Sequence, residues 1–440
     1  MKEPKLNVGI MSATEITFQL NTIYNFNSKP YSGEFKVELS EGKILFEGET
    51  YDELYFSSSD SEGACFDLYN VTIGVNFHWE REENQRFKGD VKFIVENDKL
   101  TAINGVNLED YLTSVISSEM SATSNMELLK AHAIISRSWL MAQVIKGDAI
   151  SSDSSSYCST TETAEELIRW YDREDHANFN VCADDHCQRY QGITRQSTSD
   201  VEEAIAATRG WVLMYNNKVC DARFSKCCGG VSENFEDVWE PVEHNYLKAI
   251  YDASEEVSVK SLELRSEENA DEWIRTSPDV FCNCNDQQVL SQVLNDYDQE
   301  TNDFFRWEVK YSQQELSELL EKRTGKKWGQ IIDLIPMERG ESGRLIRLKI
   351  VGDEREQIIG KELEIRKSLS ESHLYSSAFV IDKLDIIDGI PQQFVLTGCG
   401  WGHGVGLCQI GAAVMGAKGY NHTEILTHYF KGASLNQKYQ

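Results

Sequence analysis

Leu108-Glu-Asp-Tyr-Leu-Thr-Ser-Val-Ile-Ser-Ser-Glu119-Met120 is the stretch from which the rest of this sequence is read outward. Its apolar residues fall at 108, 111, 112, 115 and 116, the one-sided stripe of an amphipathic helix. One further turn along that stripe comes Glu119, a carboxylate where the pattern asks for an apolar side chain. Two readings follow. If Glu119 stays with the buried stripe, loss of water disfavours its charged form, as a general acid requires. If the helix frays at that point, the side chain simply turns to solvent.

The segment before this helix reads as strands. Val8-Gly-Ile, Ile16-Thr-Phe-Gln-Leu, Glu34-Phe-Lys-Val-Glu-Leu, Lys43-Ile-Leu-Phe and Val91-Lys-Phe-Ile-Val alternate or run apolar between Gly, Asn and Ser breaks. After it, Ser124-Asn-Met-Glu127 has capping-box spacing and predicts a helix to about Val144. On that helix Lys130, Ile134, Arg137 and Met141 stack along one face. Its two cations either snorkel at the surface or form a local anion site near Glu119. Residues 148–163 read as a Ser/Thr-rich loop, and a helix is expected from Ala164 to Asp172. The acidic, polar stretch from about Ile250 to Ser342 reads as a peripheral excursion carrying a helix near Ser312 to Arg323. Strands resume at Leu345-Ile-Arg-Leu-Lys-Ile-Val and Ala378-Phe-Val-Ile. The expected architecture is therefore α+β. It comprises a β-rich N-terminal domain (1–104), a mixed core in two parts (105–250 and 343–440), and an inserted peripheral subdomain (251–342).

Composition narrows the function. The 440 residues, 40% hydrophobic and 26% charged, describe a folded globular protein larger than one ordinary domain. A formal net charge of -29 leaves no general basic footprint, which argues against DNA or RNA as partner. An anionic substrate would need a local basic site. No apolar run reaches the ~20 residues of a membrane span, and the first residues lack the apolar core of a secretory signal, which leaves a cytoplasmic location open. Eleven cysteines, an odd number, cannot all pair within the chain. Several are clustered (Cys182 with Cys187, Cys227 with Cys228, Cys282 with Cys284), which suggests metal binding or reduced thiols rather than a disulfide framework.

His176, Cys182, His186 and Cys187 offer two imidazoles and two thiols within twelve residues. That donor set suits Zn²⁺ better than magnesium or calcium, and with four protein ligands the ion would be structural. A Cys182–Cys187 disulfide, or reduced thiols beside surface histidines, is the alternative. Gly398-Cys-Gly-Trp-Gly-His-Gly-Val-Gly406 alternates glycine with other residues; if extended, its glycines share one strand face and permit close approach of a ligand or another backbone. His403 on it is either a satisfied core histidine or, with Trp401, part of a sugar-binding edge. No nucleotide-binding glycine fingerprint is present.

These segments together resemble the SpoIID/LytB family, whose sporulation member is a lytic transglycosylase. The resemblance runs through Asn104-Gly-Val-Asn-Leu-Glu-Asp-Tyr-Leu, Ser-Glu119-Met, Leu-Lys130-Ala-His-Ala and Arg137-Ser. It continues through Phe224-Ser-Lys-Cys-Cys-Gly229-Gly230, Glu236-Asp-Val-Trp239, and Gly400-Trp-Gly-His403-Gly-Val-Gly with Gln409-Ile-Gly411. It implies that Glu119 is the catalytic acid, that Lys130 and Arg137 are cations of the substrate groove, and that the His176/Cys182/His186/Cys187 loop binds zinc; Trp401, His403 and Gln409 are expected as further substrate-binding residues. It also implies peptidoglycan glycan strands as substrate, an extracytoplasmic location and, for a non-catalytic relative, a cell-wall amidase as partner. His132, Trp139 and Cys408 depart from the residues usual in the family, and the usual N-terminal membrane anchor is not seen. One carboxylate suffices for a lytic transglycosylase, because the sugar's own 6-hydroxyl attacks the anomeric carbon; hydrolysis usually needs two. A zinc hydrolase is weaker, with no HExxH and a closed ligand set. A single groove formed by the Glu119 helix, the Lys130/Arg137 helix and the glycine run is the expected site.

Overall fold

The computed structural model describes the chain except residues 1, 59–62, 75–79, 122–123, 151–157, 172–175, 185–186, 195–196, 256 and 294–302. It is an α+β protein that divides into two compact units. Unit 1 comprises Met1–Gly147, His176–Val212 and Asn436–Gln440, and unit 2 comprises Asp148–Asp175 and Leu213–Leu435. The units cut across the domain boundaries expected from sequence, because residues 105–250 contribute to both.

Unit 1 opens with ten strands: β1 (Lys5–Ala13), β2 (Glu15–Phe26), β3 (Lys29–Ser40), β4 (Lys43–Phe46), β5 (Glu49–Tyr51), β6 (Glu53–Ser58), β7 (Cys65–Ile73), β8 (Arg81–Lys88), β9 (Asp90–Glu96) and β10 (Lys99–Asn107). The main path of their sheet runs β1-β10-β9-β6-β2-β3-β4-β5, with β7 on β2 and β8 on β7; the short strand Val181–Cys182 joins β1 in parallel. Alternation sets which faces are buried. In β6, Leu54 and Phe56 are inside and Glu53 and Tyr55 outside. The inward aromatics pack ring on ring, Phe18 lying 4.8 Å from Phe93 and 5.5 Å from Phe56 between centroids. Helix α1 (Leu108–Glu119) follows directly, and its stripe of Leu108, Tyr111, Leu112, Val115 and Ile116 is fully buried.

Helix α2 spans Met126–Ile150. Its start differs from the capping box expected at Ser124. The Ser124 hydroxyl donates to the Ser121 carbonyl, and the side chain of Asn125 instead accepts the Glu127 amide. The better cap sits one residue later.

Unit 2 is built from a five-stranded sheet ordered Thr160–Glu162, Glu166–Arg169, Glu356–Gly360, Leu345–Gly352 and Ile331–Arg339, and a three-stranded sheet ordered Arg306–Ser312, Ile390–Cys399 and Phe379–Ile387. Two expectations are corrected here. The helix expected over Ala164–Asp172 is the strand Glu166–Arg169, because its backbone pairs in register with Ile358–Gly360. The segment 251–342, read from its acidity as peripheral, is woven into the unit. Its helix Gln313–Thr324 buries Leu316, Leu319 and Leu320, its strand Arg306–Ser312 pairs with Ile390–Cys399, and Trp307 and Trp328 lie in the core. Acidity there marks the exposed faces of amphipathic elements, not the periphery.

Candidate functional site

Glu119 closes α1 half-buried, and the next residue, Met120, is already extended. One of its carboxylate oxygens accepts the backbone N–H of Arg189 at 2.9 Å. Arg189 belongs to a turn folded back on itself, in which the Tyr190 amide donates to the Ala183 carbonyl. The Tyr190 ring stacks on Tyr111 of α1 with centroids 4.8 Å apart. Thus the segment after Cys187 is clamped against α1 and presents a backbone donor to Glu119.

The stretch leading into it carries three of the four expected metal ligands. One ligand atom from each of His176, Cys182 and Cys187 lies within 4.8 Å of the others, and His176 Nε2 is 3.5 Å from Cys187 Sγ. All three are half-buried, a grouping that could hold a metal ion. His186, the fourth, lies outside the described residues. A cavity of about 600 Å³ adjoins this loop, lined by β1 together with Cys182, Asp184 and Arg189.

The two cations of α2 have different situations. Lys130 is half-buried and pairs with Glu127 at 2.8 Å. Arg137, expected to bind substrate, is buried, with no side-chain surface exposed. Its guanidinium donates bidentately to Glu109 at 2.9 and 2.7 Å, and also to the Trp211 carbonyl at 3.0 Å. Glu109 in turn accepts the Tyr439 hydroxyl at 2.5 Å. A guanidinium so enclosed joins α1 to α2 and is not available to a ligand in this conformation. Sequence reasoning missed Glu109, whose position in the first turn of α1 reads as an ordinary acidic helix start.

Trp401, His403 and Gln409 lie in unit 2. The run Gly398–Gly406 is not one extended strand: the strand Ile390–Cys399 ends inside it, and Gly400, Gly402, Gly404 and Gly406 all have φ between +74° and +89°. Alternation of left-handed glycines with ordinary residues makes a winding loop. The close approach expected of the glycines is real, but the visitor is internal. A Cβ on Gly404 would lie 2.4 Å from Arg344 Cζ, and one on Gly406 would lie 2.1 Å from the Arg223 carbonyl oxygen. The buried Arg344 donates to the carbonyls of Gly402 and Cys228 and to the Ser342 hydroxyl. It holds the loop from inside, and nothing local in the sequence marks it.

His403 is packed in protein apart from a partly exposed edge. Its Nδ1 accepts the Val405 amide at 3.0 Å, and a second hydrogen bond runs to the Phe224 backbone. Trp239 meets the ring edge-on at 5.0 Å, and Arg223 stacks over Trp239 at 4.3 Å. Burial first, then the guanidiniums of Arg223, Arg344 and Arg366, hold this imidazole well below its usual range and so neutral at pH 7. Both ring nitrogens of His403 thus have backbone partners. Trp401 is half-exposed between Phe304 and Tyr375, at 4.7 and 4.6 Å, and Gln409 is buried.

A second cysteine cluster, not read from the sequence as one site, lies in unit 2. Cys228, Asp252, Cys282 and Cys408 place one ligand atom each within 4.8 Å of one another, all buried. Burial opposes a charged Cys408, yet hydrogen bonds from Cys227, Cys228 and Cys282 and from the Cys228 amide outweigh it and draw its thiol well below the ordinary range.

Fold and sites together define an α+β protein with a glutamate-ended buried helix and two sulfur-rich clusters that could hold metal. Residues 96–215 match the family described as Stage II sporulation protein, and residues 233–406 match a family described as Domain of unknown function (DUF8618). An uncharacterized protein of Brachyspira hyodysenteriae is 26% identical over 349 residues, covering 79% of this chain and 72% of its own length. Stage II sporulation protein D of Bacillus subtilis is 24% identical over 344 residues, and that of Bacillus amyloliquefaciens 24% over 336; each alignment covers 76% of both chains. By these matches the chain is similar to the SpoIID family, the family match itself lying over residues 96–215. No helix among the described residues is long and apolar enough to cross a membrane.

Proposed function

We propose that this protein is a peptidoglycan-active lytic transglycosylase that cleaves glycan strands with Glu119 as its general acid and base. The observation that carries the reading is the placement of Glu119: half-buried at the end of a buried stripe, with one oxygen held by the Arg189 amide. A fixed amide donor orients a carboxyl group without neutralising it, leaving it to exchange a proton with a substrate. In the proposed reaction Glu119 protonates the glycosidic oxygen as that bond breaks. The sugar's 6-hydroxyl then closes on the anomeric carbon, and its proton returns to Glu119. One carboxylate completes the cycle, with no water consumed.

The His176/Cys182/Cys187 cluster supports the same centre indirectly. Zinc bound there, with His186 as fourth ligand, would pin the loop that supplies the Arg189 amide. Lys130, half-buried on α2, is the proposed sugar-strand contact of unit 1; the partly exposed indole of Trp401 is proposed separately as a sugar contact of unit 2. Arg137, His403 and Gln409 are assigned structural roles. The Bacillus relatives are named for sporulation, which suits a role in cell-wall remodelling.

The test is incubation of the purified protein with peptide-free glycan strands, with products analysed by mass. Anhydro-ended fragments are expected. Glu119→Gln should lower the cleavage rate by about 10²–10⁴-fold while strand binding stays close to wild type. Wild-type protein that binds strands, releases no such fragments and speeds an added amidase would replace this reading with that of a non-catalytic enhancer.

A further inference from the structure

We infer that Cys228, Asp252, Cys282 and Cys408 form a second, wholly buried metal site for a soft divalent ion of the zinc class. The four residues come from four separate places in unit 2. Cys228 lies just beyond the strand Phe224–Ser225, Asp252 follows the bridge of Tyr251 to Val231, and Cys282 is in a loop. Cys408 ends the strand Leu407–Cys408 and caps the helix Gln409–Ala417. None is more than 1% exposed.

The spacing is that of donors around an ion. Cys228 Sγ is 3.5 Å from Cys282 Sγ and 3.3 Å from Asp252 Oδ2. Tetrahedral zinc with Zn–S of about 2.3 Å needs ligand-to-ligand edges of about 3.7 Å, whereas a disulfide needs about 2.05 Å. None of the eleven cysteines is joined in a disulfide. Three sulfur donors discriminate against magnesium and calcium, and four protein ligands leave no open position, so the ion would hold structure rather than perform chemistry.

The surroundings orient the donors as a metal site requires. The Asp252 Oδ1 atom accepts the Tyr429 hydroxyl at 2.8 Å and meets His428 Nε2 at 3.3 Å, which turns Oδ2 toward the thiols. Cys408 Sγ accepts the amides of Cys228 at 3.2 Å and Gly411 at 3.4 Å. Gly411 must be glycine, since a Cβ there would stand 2.5 Å from Asp252 Oδ2 and 2.3 Å from the Tyr429 hydroxyl. The charge of a carboxylate in the interior is costly unless it is paired, and a cation shared with the three sulfurs would pair it. A cavity of about 710 Å³ is lined by Tyr251, Ala253, Phe281 and His428, which neighbour the ligands in sequence or in space.

The experiment separates this site from the His176/Cys182/Cys187 cluster. In a Cys182→Ser/Cys187→Ser variant purified under reducing conditions without added metal, native mass spectrometry should still find one zinc-class ion per chain. Exchange of that ion for cobalt(II) should produce strong thiolate-to-metal absorption in the near ultraviolet, lost or weakened by about a third on adding Cys282→Ser. A metal-free chain with reduced thiols, or one lighter by two hydrogens from a Cys228–Cys282 disulfide, would overturn the proposal. Should those variants fail to fold, native mass spectrometry of the wild type decides. Two ions per chain, or a single ion whose cobalt(II) form shows the absorption of three thiolates, support the site; a single ion with the absorption of two thiolates, or no ion, refutes it.

Discussion

His403 illustrates how a residue read as a sugar-binding candidate can be held uncharged. Its ordinary pKa is 6.5, and in the folded protein it is held well below that value. His373 behaves alike, pushed down to about 3 by burial and by Arg366, Lys367 and Arg323. Between these folded values and about pH 6.5 the unfolded chain binds protons that the folded chain refuses, so stability falls as pH drops through that window. Urea denaturation at pH 7, 6 and 5 should show progressive loss, with a slope of up to about two protons from this pair. His403→Gln keeps an acceptor and a donor and cannot titrate, so the slope should flatten by about one proton. An unchanged slope would mean that His403 is solvated and free to ionise.

At the scale of elements, the joint between α1 and α2 rests on one buried ion pair. Arg137 and Glu109 are both nearly inaccessible, and each satisfies the other bidentately. Removing one partner strands a charge in the interior, at a cost of about 3–5 kcal/mol. Arg137→Met should lower unfolding stability by that order, and Glu109→Gln in the same chain should restore part of it. A groove cation would behave otherwise: stability would hold, and glycan binding would weaken in a salt-dependent way. The helix stripe that buries α1 was legible because a period of 3.6 residues is local. The partner of Arg137 was not, because Glu109 lies 28 residues away and the pairing exists only once the two helices pack. The glycine run shows the same limit. Alternation is visible in sequence, but whether it encodes a flat strand or a left-handed loop depends on Arg344, which fills the space that side chains at Gly400 and Gly404 would occupy.

On the scale of the molecule, the chain passes between its two units four times, at residues 147–148, 175–176, 212–213 and 435–436. Unit 1 is therefore completed by the last residues of the chain, where Tyr439 donates to Glu109. Tyr439→Phe removes that donor from a buried carboxylate and should cost unit 1 about 1–3 kcal/mol. Hydrogen exchange should quicken in α1 and α2 and stay near wild type in the strands of unit 2. Uniform acceleration across both units would show that the two unfold as one.

Strand alternation, the α1 stripe, the placement of Glu119 on it and the softness of the His176/Cys182/Cys187 donors could all be read from residue order. Each depends on neighbours within a few turns or a single loop. The enclosure of Arg137, the neutrality of His403, the integration of residues 251–342 and the gathering of Cys228, Asp252, Cys282 and Cys408 could not. Those four ligands are separated by 24 residues at the least and by 180 at the most. No local spacing encodes such contacts. They arise only when sheet pairing and core packing bring distant segments to one point and exclude water from it.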